Sequence, residues 1–172
     1  MLHPTTSEQN LNNIETRKIL IPVDGSEISY NTLSWAIKNV IHPETDEILL
    51  VNVREHPSTG LPPMLPGSID MIVGDTSSTT LYYEIDQRLQ QASKEILEES
   101  ARVFKSHKIH TKTTTLVGEP RYELEQFAKK EQPSMIVMAN RGMGFVAGAF
   151  WGSVSEHLLH HAGIPVTIIP KA

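Results

Sequence analysis

The sequence predicts one α/β domain: a parallel β-sheet with helices on both faces. Three observations carry that expectation. Four short, uninterrupted apolar runs read as strands buried on both faces. Stretches with apolar residues at helical spacing lie between them. The two kinds of segment alternate along 172 residues, a length suited to a single core. Such alternation implies right-handed crossovers between parallel strands.

The first strand is Ile19-Leu20-Ile21-Pro22-Val23. Leu33, Ala36, Ile37, Val40 and Ile41 then fall at i, i+3, i+4, i+7 and i+8, one face of a helix. Ile48-Leu49-Leu50-Val51-Asn52-Val53 is the second strand. Residues 54–80 interrupt the alternation with Pro57, Pro62, Pro63, Pro66, Gly60, Gly67 and Gly74, and end in Ser77, Ser78, Thr79 and Thr80. That composition predicts a long loop, either a lid or binding loop or a plain disordered surface segment. Leu81, Ile85, Leu89, Ala92, Ile96 and Val103 predict a long helix over 81–106. Ile109 to Val117, with four threonines, is a weaker strand expected at the sheet edge. Pro120 suits a first helical turn, and Leu124, Phe127 and Ala128 mark the short helix that follows. Met135 to Ala139 is the next strand. Ser153 to His161 makes the last helix, with its cap at Gly152 or Ser153, and Pro165 to Ile169 the last strand. Residues 1–16 are polar and are expected as a flexible segment ahead of a domain at 17–172.

Composition narrows the function classes. With no cysteine, disulfides, thiolate metal sites and a cysteine nucleophile are excluded. A formal charge of −5 argues against non-specific nucleic-acid binding. All of that excess lies in residues 41–80, where 6 acidic residues face Arg54 alone. No apolar run approaches the ~20 residues a membrane helix needs, and the polar first 17 residues hold no secretory h-region. A cytoplasmic protein without nucleic-acid or membrane partners is expected.

In open parallel sheets, ligands bind beyond the carboxyl ends of the strands. Asp24-Gly25-Ser26 follows the first strand there, and Asn140-Arg141-Gly142 the fourth. Gly142, Gly144, Gly148 and Gly152 fall between that strand and the last helix. Glycines of this kind let backbone N–H groups and a helix N-terminus approach an anion, with Ser153 and Ser155 adding hydroxyls. A plain glycine loop with Ser153 as a cap fits the same residues. Asp24 suits ribose hydroxyls as an acceptor, or an Asx turn before Gly25. The match of Gly142 to Ala147 to G-x-G-x-x-A is a decoy, because it does not open a helix in the first βαβ unit. The P-loop pattern G-x-x-x-x-G-K-[ST] does not occur.

Ala139-Asn140-Arg141-Gly142, nine residues, then Gly152-Ser153 resembles the G-x-x-G-x9-G-[S/T] signature of the universal stress protein family. Lys18 to Ser26 is similar to that family's first strand and turn. Gly118-Glu119-Pro120 resembles its G-x-P turn, and His161 to Val166 its approach to the last strand. The resemblance covers residues 17–170 in order. It implies five parallel strands in the order 3-2-1-4-5, an adenine nucleotide alpha hydrolase-like fold. It further implies ATP, or AMP or ADP, with Mg2+ carried by the phosphates. Asp24 would then accept from the ribose, Pro22 and Val23 would shape the adenosine pocket, and Val53 would pack on adenine. Gly142, Gly152, Ser153 and Ser155 would hold the phosphates, and Val154 would donate a backbone N–H. Met138, Ala139, Asn140 and Arg141 complete the expected binding set; Arg141 suits a phosphate or simply solvent. One departure matters: Ala139 stands where the family has glycine. Its methyl group would weaken binding if the position needs positive φ or lies against the ribose, and is harmless to the backbone if φ is negative.

Three functions follow as expectations. One is a nucleotide-binding stress-response module with at most slow hydrolysis, since no base is placed at a γ-phosphate. One is an ATPase or nucleotidyl transferase, for which motifs such as S-G-G-x-D-S are lacking. One is a nucleotide-free dimeric interaction protein. The resemblance implies homodimers through the strand at 165–169. His157, His160 and His161 share a helix face but have only Glu156 as a nearby acid in sequence, so surface roles are expected over metal binding. Trp35 and Trp151 are expected to pack.

Overall fold

A computed structural model describes residues 16–57, 76–140 and 152–170. The elements are β1 (Arg17–Pro22), α1 (Glu27–Asn39), β2 (Asp46–Arg54), α2 (Thr76–Ser106), β3 (His110–Val117), α3 (Pro120–Glu131), β4 (Met135–Ala139), α4 (Ser153–His161) and β5 (Val166–Ile169). All five strands are parallel in one sheet, ordered β3-β2-β1-β4-β5. This is the order the family resemblance implied, and β3 is an edge strand as its composition suggested.

The sheet is buried on both sides because its central strands carry apolar runs, Ile19–Ile21, Ile48–Val51 and Ile136–Met138. Ile19, Ile21, Ile48, Leu50 and Val137 enter one core, with Leu33 and Ala36 of α1 and Leu97 and Phe104 of α2. Leu20, Leu49, Val51, Ile136 and Met138 enter the other, with Leu124 and Ala128 of α3 and Leu158 of α4. The side-chain period of two along each strand deals successive residues to opposite cores. Each fully buried side chain of this size contributes about 1.5–3 kcal/mol.

Most element ends shift by one or two residues, and the largest difference is at the interruption. The interruption read at 54–80 is shorter, because Arg54 still belongs to β2 and α2 begins at Thr76 rather than 81. Serine and threonine count as breakers in composition, yet they are favoured at a helix start, where their hydroxyls can meet orphan N–H groups. The remainder of that interruption, at 58–75, lies outside the described residues, as do 1–15. From Thr79 to Ala92, α2 has no buried residue; burial begins at Ser93. Arg54 Nη1 donates to Asp86 Oδ1 at 2.8 Å and ties this half of the helix to the sheet. Trp35, expected to pack, is 38% exposed on α1. Among the described residues no helix is long and apolar enough to cross a membrane.

At the amino end of the sheet a buried carboxylate organises the α1–β2 connection. Asp46 accepts from Arg17 Nε at 2.9 Å and Nη2 at 2.6 Å, and from the His42 backbone N–H at 2.7 Å. Burial pushes the Asp46 carboxyl up, but the Arg17 guanidinium and the His42 N–H outweigh it and hold it below the usual value. A carboxyl lowered by folding adds stability above its unfolded pKa and loses it as pH falls through the folded one. Asp46→Asn should therefore cost about 1–3 kcal/mol in urea unfolding at neutral pH. The gap from wild type should close as the pH falls below about 4, the unfolded carboxyl value; an unchanged gap at pH 3 would refute the assignment.

Candidate functional site

The sheet reverses its winding between β1 and β4, which pair through Ile19–Met135 and Leu20–Ile136. The candidate site lies at their carboxyl ends, the switch point of an open parallel sheet.

β1 stops being a strand at Pro22. Val23 still donates its N–H to Val51 O at 2.8 Å, but its carbonyl accepts from Asn52 Nδ2 at 2.7 Å. The Asn52 side chain thus takes a place that a ladder N–H would fill in a continuing strand. Asn52 is only 5% exposed, so its amide is a committed internal clasp. In sequence it is the one polar residue within an apolar run, a signal that strand periodicity alone passes over.

After Val23 the chain turns through Asp24-Gly25-Ser26. Asp24 Oδ1 accepts from the Ser26 N–H at 3.0 Å and the Ser26 hydroxyl at 2.7 Å. Ser26 Oγ in turn accepts from the Ser29 N–H at 3.2 Å, capping α1. The relay fixes the Asp24 carboxyl beside the sheet end. Gly25 sits at φ +78, a turn geometry that favours glycine, and a Cβ there would also crowd Ile96 Cγ1 at 3.0 Å. The Asx turn read from the sequence is present, and it leaves Asp24 only partly buried.

Across the switch point, β4 ends at Ala139 and its chain is held on both sides. Asn140 N–H donates to Ile169 O at 2.9 Å, and Gly152 N–H donates to Asn140 O at 3.0 Å. The second bond brings the start of α4 directly against the end of β4. Ser155 is 1% exposed and donates its hydroxyl to Gly152 O at 2.8 Å, so that hydroxyl serves the helix start. Gly152 caps α4 with no side-chain hydrogen bond, whereas Ser26 and Glu119 cap α1 and α3 through their side chains. Ser153 is exposed on the first turn. Asn140 Oδ1 is buried without a partner there.

Val23 and Met138 are core residues at 4% and 6% exposure, while Pro22, Val53 and Ala139 are half-buried at the strand ends. Among the described residues, only Lys108 and Gln132 are non-glycines with positive φ. Ala139 is therefore unstrained in β4, and the alanine in the glycine position costs the backbone nothing. Arg141, Gly142, Gly144, Gly148 and Trp151 lie outside the described residues.

The histidines of α4 have a partner that spacing did not show. His157 Nε2 meets Glu125 Oε2 of α3 at 2.6 Å, and the His161 ring stacks on His157 at 4.3 Å between centroids. Lys129 and His157 together hold the Glu125 carboxyl below its usual value. Glu125 lies 32 residues from His157, so the pair depends on α3 packing against α4.

Asn52→Leu would leave the Val23 carbonyl buried and unmatched, and should lower stability by about 1–3 kcal/mol. Chemical denaturation with an unshifted midpoint would show that the clasp is not needed.

The universal stress protein family profile matches residues 15–170. A curated relative, universal stress protein MJ0531 of Methanocaldococcus jannaschii, is 26% identical over 155 residues, covering 90% of this chain and 82% of its own. The solved structure of the protein MJ0577 superimposes with a TM-score of 0.72 at 22% identity, over 91% of this chain and 96% of that one. A universal stress protein family protein of Arabidopsis thaliana, solved with AMP bound, gives a TM-score of 0.60 at 17% identity, over 91% and 92%. With a profile match across nearly its whole length and the strand order that its motifs implied, this chain belongs to the universal stress protein family.

Proposed function

We propose that the carboxyl ends of β1, β2 and β4 bind an adenine nucleotide, and that the protein acts as a regulatory stress-response module. The observation that carries this is the start of α4: a helix N-terminus without a side-chain cap, hydrogen-bonded against the end of β4 at the switch point. First-turn N–H groups and the positive end of the helix dipole suit phosphate oxygens. Ser153, Val154 and Ser155 would supply those N–H groups, Ser153 a hydroxyl as well, and Gly142 and Arg141 the rest of the phosphate cradle. Asp24, held by its relay with Ser26, would take the ribose end, where its charge is distant from the phosphates. Pro22, Val23 and Val53 would border the adenine, and Met138, Ala139 and Asn140 the floor below the phosphates. The family relative with AMP bound supports an adenine ligand. ATP with Mg2+ on its phosphates is the specific form proposed, in a cytoplasmic protein. Slow hydrolysis is part of the proposal, since the sequence motifs place no Lys, His or acidic residue as a base at a γ-phosphate.

Native mass spectrometry of the freshly purified chain, with and without ATP, tests the reading; an unliganded mass unchanged by ATP would overturn it. By calorimetry, Asp24→Ala should weaken ATP by about tenfold or more, the worth of charge-assisted hydrogen bonds. Ser153→Asp should weaken ATP by a similar factor, spare adenosine, and leave the helix intact, since an acidic residue suits a first turn. Equal loss of ATP and adenosine would place the phosphates elsewhere. Turnover of several ATP per second would make the protein an enzyme.

Self-association through residues 165–169 belongs to the same proposal. β5 is an outer strand, and Val166, Thr167 and Ile168 are only half-buried. Such an edge favours pairing with a second copy. Val166→Lys should give monomers in sedimentation; a dimer mass unaffected by the lysine would discard this interface.

A further inference from the structure

We propose that the amino-terminal edge of the sheet, at β3, binds an extended acidic peptide segment of a partner protein. This is the opposite end of the strands from the nucleotide reading, and stands independently of it.

The surface combines a groove, a free strand edge and unneutralised charge. Glu98, Ala101, Arg102 and Lys105 fall at i, i+3, i+4 and i+7 on one face of α2. With Ile109 and His110 they line a groove of about 410 Å³ beside β3. β3 is the outermost strand on this side, so its outer edge has no neighbour in the sheet among the described residues. Ser93 Oγ lies 2.8 Å from Thr115 Oγ1 and holds the helix against the strand further along.

Beyond Glu98 the charge is mainly positive. Between residues 100 and 118 there are four Lys and Arg residues, at 102, 105, 108 and 112, and no Asp or Glu. Lys112 and His110 share the Glu47 carboxylate at 2.9 and 3.1 Å. Glu98 faces Lys94 at 3.8 Å. Arg102, Lys105 and Lys108 are exposed, and none forms an ion pair with a described residue. Cations at a helix C-terminus answer its dipole, but that end carries only about half a negative charge. Three cations without an ion-pair partner among the described residues exceed this several-fold, in a chain whose net charge is −5.

Lysines on an edge strand also discourage two like edges from pairing. The same charges favour an incoming strand of opposite sign, whose main chain completes the edge while its carboxylates meet the cations. A nucleic acid fits less well. Phe104 is fully buried, and the exposed aromatics of α2, Tyr82 and Tyr83, lie 20 and 19 residues before Arg102, about 30 Å along the helix. The groove thus offers no ring on which a base would stack.

The test uses fluorescence anisotropy of a labelled peptide of alternating Glu and Val, matched to the 8 residues of β3, titrated with the full chain. Binding should be saturable and should collapse between about 0.1 M and about 1 M salt, as the Debye length falls from about 10 Å to about 3 Å. Arg102→Glu should weaken it at least fivefold or so, from reversal of surface charge pairs. Arg88→Glu, the same change 14 residues earlier and about 21 Å away, should leave it within about twofold. A peptide of alternating Glu and Pro, with the same charge but half the N–H donors, should bind markedly more weakly. Wild-type affinity in Arg102→Glu, equal binding of the proline peptide, or displacement by duplex DNA of equal charge at equal concentration would each overturn the proposal.

Discussion

A strand covered by helices on both faces can carry no chemistry along its length. Ile19, Leu20 and Ile21 are wholly buried, as are Ile48, Leu50, Ile136 and Val137. A polar side chain at any of these positions would need a partner inside a dry core. Polar function is therefore forced to the ends of the sheet, where the backbone leaves the ladder. The one clear exception, Asn52, obeys the same rule, since its amide is spent on the carbonyl of Val23 at the point where β1 leaves the sheet.

That departure ties the site to the core. The Asn52 clasp, the Asp24–Ser26–Ser29 relay and the left-handed Gly25 are consecutive parts of one turn. The carboxyl of Asp24 is thus held in a turn anchored to β2 through Asn52 and to α1 through Ser26 and Ser29. On the other side of the switch point, the Asn140 main chain does the corresponding work, bonded to β5 by its N–H and to α4 by its carbonyl. The candidate site is assembled from side-chain bonds on the β1 side and mainly from main-chain bonds on the β4 side.

The architecture was legible because its signals are local. Apolar runs marked the strands, Pro120 opened α3, and the helical spacing from Leu33 to Ile41 marked α1. Strand order came from the family motifs, since alternation alone admits several orders. What stayed hidden depends on distance in sequence or on context. The Glu125–His157 pair joins helices whose packing no local pattern encodes. Asn52 was concealed by the apolar neighbours that define its strand. Thr76 to Thr80 looked like loop because the residues that favour turns are those that favour helix starts. Within the candidate site, Asp24 and Gly152 could be placed by motif, but the internal use of the Ser155 hydroxyl and the unstrained backbone of Ala139 required coordinates.

The uneven burial of α2 has a dynamic consequence. A helix of 31 residues is stabilised along its second half by Ser93, Leu97, Ser100 and Phe104, all buried, and along Thr79 to Ala92 by no buried side chain. Helical segments without tertiary packing are marginal in water. Amide hydrogens of the first half should then exchange through local fraying, while those beyond Ser93 wait for the sheet itself to open. One continuous helix thus comprises two units of stability, and the Arg54–Asp86 pair ties the looser of them to the end of β2.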